Sequence, residues 1–187
     1  MTRTLILAFH PNLAGARTHG ALAAAAARLP GVEIVDEAAL YPDGRIDVDA
    51  EVARLLAADR VVLQFPVQWY STPPLLKAWQ DAVLTRMMYL AYDMEGARLA
   101  GKPLLVAATA GNMPEAYTPQ GQNRFPLEEL LRPLEATAHR CGLVWERPFL
   151  LYRAGRLNDA ELAQAAEDYR RGLGAWIAAA SVRSRAA

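Results

Sequence analysis

The stretch Val61-Val62-Leu63-Gln64-Phe65-Pro66-Val67-Gln68-Trp69-Tyr70-Ser71-Thr72-Pro73-Pro74 joins a strand, a loop and the start of a helix. The apolar run 61–65 is typical of a parallel strand that is covered on both faces. Thr72 followed by Pro73 predicts an N-cap and a proline at the first helical position. Apolar residues then recur at helical spacing, which predicts a helix with one buried face that carries Leu75, Leu76, Trp79 and Val83.

The same alternation of strand and helix continues on both sides of this unit. Further apolar runs predict strands at 5–9, 32–35, 104–108 and within 143–151. Helices are predicted over 18–29, from Asp47 to Leu56, over 127–141 with a bend or offset at Pro133, and from Asn158 to about Ala180. Asn158 with Glu161 resembles a capping box. This order predicts an α/β fold with a parallel sheet, right-handed crossovers and the strand order 2-1-3-4-5.

Composition limits the domain count and the class of partner. The chain has 187 residues and is 53% hydrophobic, which suits a single domain over 1–180, with a small, polar tail at 181–187 that we expect to fray. Its 20 basic and 20 acidic residues balance, so the charge favours neither nucleic acid nor a membrane surface. The single cysteine excludes an internal disulfide and fits a reducing compartment. No apolar run is long enough for a transmembrane helix, and we expect a cytoplasmic protein.

Three loops leave the carboxyl ends of the strands, where open parallel sheets bind their ligands. The first loop, 10–19, runs from a strand into a helix, a context in which free N–H groups and the helix dipole favour phosphate. Its side-chain donors are His10, Arg17, Thr18 and His19. The alternative is an ordinary polar loop. Neither GxGxxG nor GxxxxGK[ST] occurs, so a dinucleotide fingerprint and a triphosphatase loop are unsupported.

The other two loops are suited to a flat ligand. Loop 65–74 combines aromatic residues with prolines, which can wall a planar molecule; the alternative is a hydrophobic plug over the end of the sheet. Loop 109–113 is small enough for a ligand to approach the backbone, and Tyr117 adds a phenol nearby; the alternative is an ordinary turn. The three histidines lack metal-ligand spacing, so no metal site is predicted.

These loops carry a family resemblance. The segment 65–79, FPVQWYSTPPLLKAW, resembles the flavin-loop signature of the flavodoxin-like NAD(P)H:quinone oxidoreductases. The resemblance continues through TAGN at 109–112, YTPQGQNRF at 117–125 and EELLRPLEATA at 128–138. The stretch YPDGRID at 41–47 is similar to the branch that includes ancillary subunits of glutathione-gated potassium efflux systems. The resemblance to the flavodoxin-like NAD(P)H:quinone oxidoreductases implies a flavodoxin-like three-layer sandwich with a five-stranded sheet. It also implies a bound flavin and a homodimer.

The resemblance also implies roles for individual residues. It places the flavin phosphate on the first loop and the flavin ring between the other two, which gives the cofactor-binding set His10, Ala16, Arg17, Thr18, His19, Pro66, Val67, Gln68, Trp69, Tyr70, Thr109, Ala110, Gly111, Asn112 and Tyr117. Backbone N–H groups from Val67 to Tyr70 would hold the ring edge. The family commonly has Ser in place of Ala16 and Asn in place of His19.

Departures occur in the third loop as well. The family's Thr-Thr-Gly-Gly is replaced by Thr109-Ala110-Gly111-Asn112, and Asn112 needs more room or a positive φ. Asn123 falls where the mammalian quinone reductases have a histidine.

The implied activity is a two-electron, ping-pong transfer of hydride from NAD(P)H through flavin N5 to a quinone. Tyr117 and the N–H groups near Gly111 would stabilise charge at the pyrimidine end, and Trp69 would orient the acceptor atom; these are the catalytic candidates. FMN is favoured over FAD because the chain is short. The apolar residues from Trp79 to Tyr92 can line a dimer interface.

Two alternatives remain open at this stage. One is a regulatory ancillary subunit of a potassium efflux antiporter, which would bring the protein to the inner face of the membrane through its partner. The other is a flavodoxin-type electron carrier, although residues 10–19 lack the Ser/Thr- and Gly-rich phosphate loop of the flavodoxins.

Overall fold

The structure, a computed structural model, describes residues 2–186, with side chains up to residue 179. Its parallel strands follow the order β2-β1-β3-β4-β5, and a sixth strand also pairs with β4. The strands are β1 (Thr4–Ala8), β2 (Val32–Asp36), β3 (Arg60–Pro66), β4 (Pro103–Thr109), β5 (Val144–Trp145) and β6 (Phe149–Leu151). The predicted α/β class and strand order are confirmed.

The fifth strand position differs from the prediction. Instead of one strand within 143–151, β5 pairs with the start of β4 and β6 pairs with its end. Residues 146–148 separate the two short strands. Pro148 lies in this gap, and a proline has no N–H to donate to a ladder, so the pairing cannot continue through it.

Helices cover both faces of the sheet. They are α1 (Arg17–Ala26), α2 (Glu37–Leu40), α3 (Val48–Ala57), α4 (Pro74–Trp79), α5 (Leu127–Leu130), α6 (Arg132–Arg140) and α7 (Asp159–Ala186). Two π-helical segments, Gln80–Leu84 and Arg86–Leu90, extend α4, and 3-10 turns occupy Gly96–Leu99 and Pro114–Ala116. One buried cluster packs α3, α4 and α6 against the sheet, and a second packs α1 and α7 on the other face. Trp79 is buried in the first cluster, as predicted for a core residue.

Several helix boundaries were predicted wrongly. Helix α4 begins at Pro74, with Pro73 rather than Thr72 at the N-cap. A proline disfavours helical geometry in the residue before it, and Pro73 accordingly has an extended ψ of 150°. Helix α1 begins one residue earlier than predicted, at Arg17, and ends at Ala26 rather than Leu29. The short α2 was not predicted, because four residues carry no readable periodicity.

Toward the C-terminus, one predicted helix boundary agrees with the structure and one does not. The helix expected over 127–141 is offset near Pro133, where α5 ends and α6 begins. Helix α7 continues to Ala186, beyond the predicted end near Ala180. Fraying of residues 181–187 and the single-domain division remain predictions. None of the helices within 2–186 combines the length and the apolar character needed to cross a membrane.

The capping box at the start of α7 forms as predicted. The Glu161 N–H donates to Asn158 Oδ1 at 2.9 Å, and the Asn158 N–H donates to Glu161 Oε2 at 2.8 Å. Each bond satisfies a backbone donor that the helix itself cannot.

We therefore expect Asn158→Ala to lower the free energy of unfolding by about 1 kcal/mol, because it leaves the Glu161 N–H without its partner. Asn158→Asp keeps the acceptor and should retain most of the stability. Urea denaturation of the three proteins measures the difference. Equal midpoints for the Ala and Asp variants would show that the cap contributes nothing.

Candidate functional site

The loops after β1, β3 and β4 meet at the carboxyl edge of the sheet. The Phe9 N–H donates to the Gln64 carbonyl at 2.9 Å, which joins the first loop to β3. The Val67 N–H donates to the Thr109 carbonyl at 2.8 Å, which joins the second loop to the third. The three loops that were predicted from the sequence to bind a ligand therefore lie side by side.

The side chains of the first loop are partly committed to the protein itself. The Arg17 guanidinium donates to the Leu157 carbonyl and to Asp159, both at 2.6 Å. The Thr18 hydroxyl donates to the Ala154 carbonyl at 2.6 Å. Both side chains thus fasten α1 to the segment that leads into α7.

The backbone of the first loop remains available. Ala16 is the N-cap of α1 and provides no side-chain cap. Among the residues that the structure describes, no acceptor receives the N–H groups of Arg17, Thr18 and His19. His10 Nδ1 accepts the Asn12 N–H at 3.1 Å, which leaves its other ring nitrogen uncommitted by this bond. Free N–H groups at the positive end of a helix form an anion site.

His19 lies inside the sheet edge. It is 3% exposed, and its Nε2 lies 2.8 Å from Thr109 Oγ1. Gln64 donates from Nε2 to the His19 carbonyl at 3.3 Å and lies 3.5 Å from the ring. Burial, followed by the neighbouring His10, lowers the pKa of His19 to about 4. The imidazole is therefore uncharged at neutral pH and links β3 to β4.

The second loop is a tight turn. The Gln68 N–H donates to the Ser71 carbonyl and the Ser71 N–H to the Gln68 carbonyl, both at 2.9 Å. Trp69 and Tyr70 between them have φ values of 46° and 65°, the sign pattern of a type I′ turn. The Val67 and Gln68 N–H groups predicted to hold a ring edge are thus engaged. Those of Trp69 and Tyr70 have no acceptor within the described part of the chain.

The turn presents two aromatic side chains to solvent. Trp69 is 93% exposed and Tyr70 is 50% exposed. The Tyr70 hydroxyl donates to Asn123 Oδ1 at 3.2 Å, which joins this turn to the segment after Tyr117. Aromatic residues rarely adopt positive φ, so the backbone is held in a costly conformation that directs both rings outward.

The third loop combines engaged and free donors. The Ala110 N–H donates to the Leu151 carbonyl at 2.8 Å and is not available to a ligand. No acceptor among residues 2–186 receives the N–H groups of Gly111 and Asn112. A Cβ placed on Gly111 would meet nothing within 4 Å, so the backbone there faces open space.

Asn112 fits this loop without a positive φ. Its Oδ1 accepts the Met113 N–H at 2.9 Å, and its Nδ2 donates to Gln122 at 3.2 Å. The side chain therefore finds room by turning toward Gln122, which is one of the two solutions expected from the sequence.

Tyr117 stands beside this loop with an uncommitted hydroxyl. Its ring lies 5.6 Å from the ring of Tyr152, and within the described region its hydroxyl has no hydrogen-bond partner. Burial and then Tyr70 raise its pKa. The backbone around Tyr117 packs closely at Gly121. A Cβ at Gly121 would lie 2.3 Å from the Glu115 carbonyl oxygen, so this position requires glycine. Tyr152 was missed from the sequence, although its place directly after β6 puts it at the same edge of the sheet.

Comparison with known proteins agrees with this geometry. A family model described as the flavodoxin-like fold matches residues 2–173. The chain belongs to this family. It is 39% identical over 167 residues to a Bacillus subtilis protein named uncharacterized NAD(P)H oxidoreductase YdeQ, which covers 89% of this chain and 84% of that protein.

Two further relatives have more specific names. The chain is 41% identical over 172 residues to the glutathione-regulated potassium-efflux system ancillary protein KefF of Klebsiella pneumoniae, covering 92% of this chain and 95% of that one. It resembles the crystal structure of general stress protein 14 from Treponema denticola in complex with FMN, with a TM-score of 0.81 and 33% identity over 95% of this chain and 99% of that one.

The buried His19 predicts a specific acid sensitivity. Its folded-state pKa lies below its ordinary value of 6.5, so the unfolded chain binds more protons between about pH 6.5 and 4. Stability is then lost as the pH falls through that window, by about 2 kcal/mol between pH 7.5 and 5 from this group. Between pH 7.5 and 5, His19→Gln should retain about 2 kcal/mol more stability than the wild type in urea titrations, because the variant lacks this one titration and keeps all others. The same pH dependence in both proteins would exclude His19 as a contributor.

The positive φ of Tyr70 predicts that glycine is more stable than alanine at position 70. Tyr70→Gly should stabilise the protein by about 1 kcal/mol relative to Tyr70→Ala, because only glycine adopts positive φ without steric cost. Both variants lose the same ring and the same bond to Asn123, so their difference isolates the backbone term. Thermal unfolding of the pair measures it, and equal stabilities would mean that the turn is not strained.

Proposed function

We propose that this protein is a flavin-dependent NAD(P)H:quinone oxidoreductase that uses FMN. The observation that carries the proposal is the set of backbone N–H groups at the carboxyl edge of the sheet for which the described residues provide no acceptor. One group lies at the start of α1, and the other lies on the turn at Trp69 and Tyr70 and on the loop at Gly111 and Asn112. A ligand with an anionic group at one end and a planar ring with acceptor atoms at the other matches both.

The residues present fit FMN. The N–H groups at residues 17–19, with His10 beside them, would hold the phosphate. The N–H groups of Gly111 and Asn112, together with the Tyr117 hydroxyl, would hold the ring acceptors. The relative from Treponema denticola, whose structure contains FMN, supports this choice of cofactor over FAD.

When bound, FMN supplies the chemistry of accepting and donating a hydride. The chain's own contribution is placement and charge. Preorganised N–H donors at Gly111 and Asn112, with the Tyr117 hydroxyl, would stabilise negative charge at the pyrimidine end of the ring. The exposed rings of Trp69 and Tyr70 offer a flat apolar wall to a nicotinamide or a quinone. If both substrates use this one wall in turn, the steady-state kinetics are ping-pong.

A homodimer is part of the proposal. At the end of the second π-helical segment and just beyond it, four large apolar side chains are exposed close together along the chain: Tyr89, Leu90, Tyr92 and Met94. Apolar surface of this kind is typical of a protein interface. Of the interface predicted from Trp79 to Tyr92, the residues Trp79, Val83 and Met87 are buried in the core and cannot contact a partner. The proposed interface is therefore limited to the exposed residues.

A second candidate function is that of an ancillary subunit of a potassium efflux antiporter. The observation that favours it is the identity with KefF over nearly the whole of both chains. On this account a cytoplasmic protein reaches the membrane through its partner, and it can reduce quinones as well. Loss of regulated potassium efflux on deletion would support this role, and unchanged efflux would oppose it.

The proposed activity is tested by rapid mixing of FMN-loaded protein with NADH or NADPH, followed by a quinone. We expect the flavin absorbance to bleach with the first substrate and to return with the second. Retention of FMN without bleaching by either nucleotide would overturn the oxidoreductase assignment.

Tyr117→Phe tests the mechanistic part. Removal of one hydrogen-bond donor to developing charge should slow flavin reduction at least tenfold, with little loss of FMN. Tyr152→Phe is the matched control, because it changes the neighbouring phenol in the same way. An unchanged reduction rate in Tyr117→Phe would remove this residue from the mechanism.

A further inference from the structure

Two glutamates in the helices between β2 and β3 are completely buried. Glu37 begins α2 and Glu51 lies in α3, and both have no exposed surface. Charged side chains are almost never fully buried unless they are paired, so each needs an explanation. We refer to them as the Glu37–Glu51 pair.

Glu51 has the hydrogen-bond donors and the counter-charge that a buried, ionised carboxylate requires. It accepts the Tyr41 hydroxyl at 2.7 Å and the Trp79 indole N–H at 2.9 Å. The Arg54 guanidinium supplies the counter-charge through an ion pair. Three helical segments, α2 with its following residue, α3 and α4, are thereby connected through one side chain.

Glu37 has no counter-charge of its own. Neither of its carboxyl oxygens accepts a hydrogen bond from a donor in the described part of the chain, and it shares a hydrogen bond with the Glu51 carboxylate only if it carries the proton. The cation nearby, Arg54, is already paired with Glu51. The buried cluster is electrically balanced only if Glu37 holds a proton, because an unpaired buried carboxylate is strongly unfavourable. Burial, and then the Glu51 charge, raise the pKa of Glu37 to about 8.

Two hydrogen-bond partners of Glu51, Tyr41 and Trp79, lie next to residues of the candidate site. Tyr41 lines a cleft of about 520 Å³ that His10 and Gln68 also line. Trp79 packs edge-on against Phe9, with ring centroids 6.0 Å apart, and Phe9 directly precedes His10. Side chains that Glu51 binds therefore pack against the residue before the first loop and share a cleft with residues of the first two loops.

We propose that Glu51 is a positioning residue of the candidate site, and that a proton on Glu37 keeps Glu51 bound to Tyr41 and Trp79. Loss of that proton places two carboxylates against one guanidinium, releases Tyr41 and opens the cleft. The role in substrate binding rests on the proposed function, whereas the opening itself does not.

The sign of the pH dependence follows from the groups that face Glu37. They are Asp36 and Tyr41 on its own segment, and Glu51 and Arg54 on α3; strand β1, against which α2 packs, carries no titratable side chain. In the open form Glu37 meets water and regains a pKa near 4.5. Opening then becomes about tenfold more favourable for each pH unit between about 5 and 8, and levels off above pH 8.

Hydrogen exchange on the flavin-free protein tests the opening. The bonded amides of Ala39, Tyr41 and Gly44 report on it, and protection is corrected for the intrinsic pH dependence of exchange. We expect wild-type protection to fall about a hundredfold from pH 5.5 to 7.5. Glu37→Gln, which imitates the protonated acid, should show a flat profile, and Glu129→Gln, on an exposed carboxylate, should follow the wild type.

Tyr41→Phe provides a second variant that removes one hydroxyl and leaves the buried charges alone. It should expose the same amides at every pH and, in the FMN-loaded enzyme, raise KM more than it lowers kcat. A flat wild-type profile, or the same slope in Glu37→Gln, would overturn the proposal. If the slope is present but FMN does not bind, the opening stands and the proposed function falls.

Discussion

The parallel pairing of β1, β3 and β4 is the constraint on which the rest of the structure depends. Because these three strands are neighbours and run in one direction, their loops are brought to a single edge of the sheet. The hydrogen bond from Val67 to Thr109 continues this pairing past the ends of the strands. Without that register, the residues of the three loops would not be close enough to form one site.

The backbone N–H groups of the three loops fall into two groups. Some N–H groups fasten the loops to each other, as those of Val67, Gln68 and Ala110 do. The remaining groups, at the start of α1 and around Trp69 and Gly111, point to no acceptor among the described residues. Such free donors, grouped at one edge of the sheet, are available to a phosphate or to ring acceptor atoms, which is the basis of the proposed flavin site.

Much of this arrangement could be predicted from the sequence. Apolar runs located the strands, and the loops that follow them contain the residues that now lie at the sheet edge. The engagement of Arg17 and Thr18 could not be predicted, because their partners near Ala154 and Asp159 are distant in the chain and adjacent only after folding. The Glu37–Glu51 pair could not be predicted for a similar reason, since a glutamate in a helix resembles a surface residue until tertiary packing buries it.

The most direct test of the central claim compares FMN with riboflavin, which lacks the phosphate. Both are titrated into the flavin-free protein, and quenching of the flavin fluorescence reports binding. If the N–H groups at the start of α1 hold the phosphate and the other loops hold the ring, FMN should bind at least about a hundredfold more tightly than riboflavin, since two charge-assisted hydrogen bonds contribute about 3 kcal/mol or more. Equal affinities, or no binding of either flavin, would contradict the account.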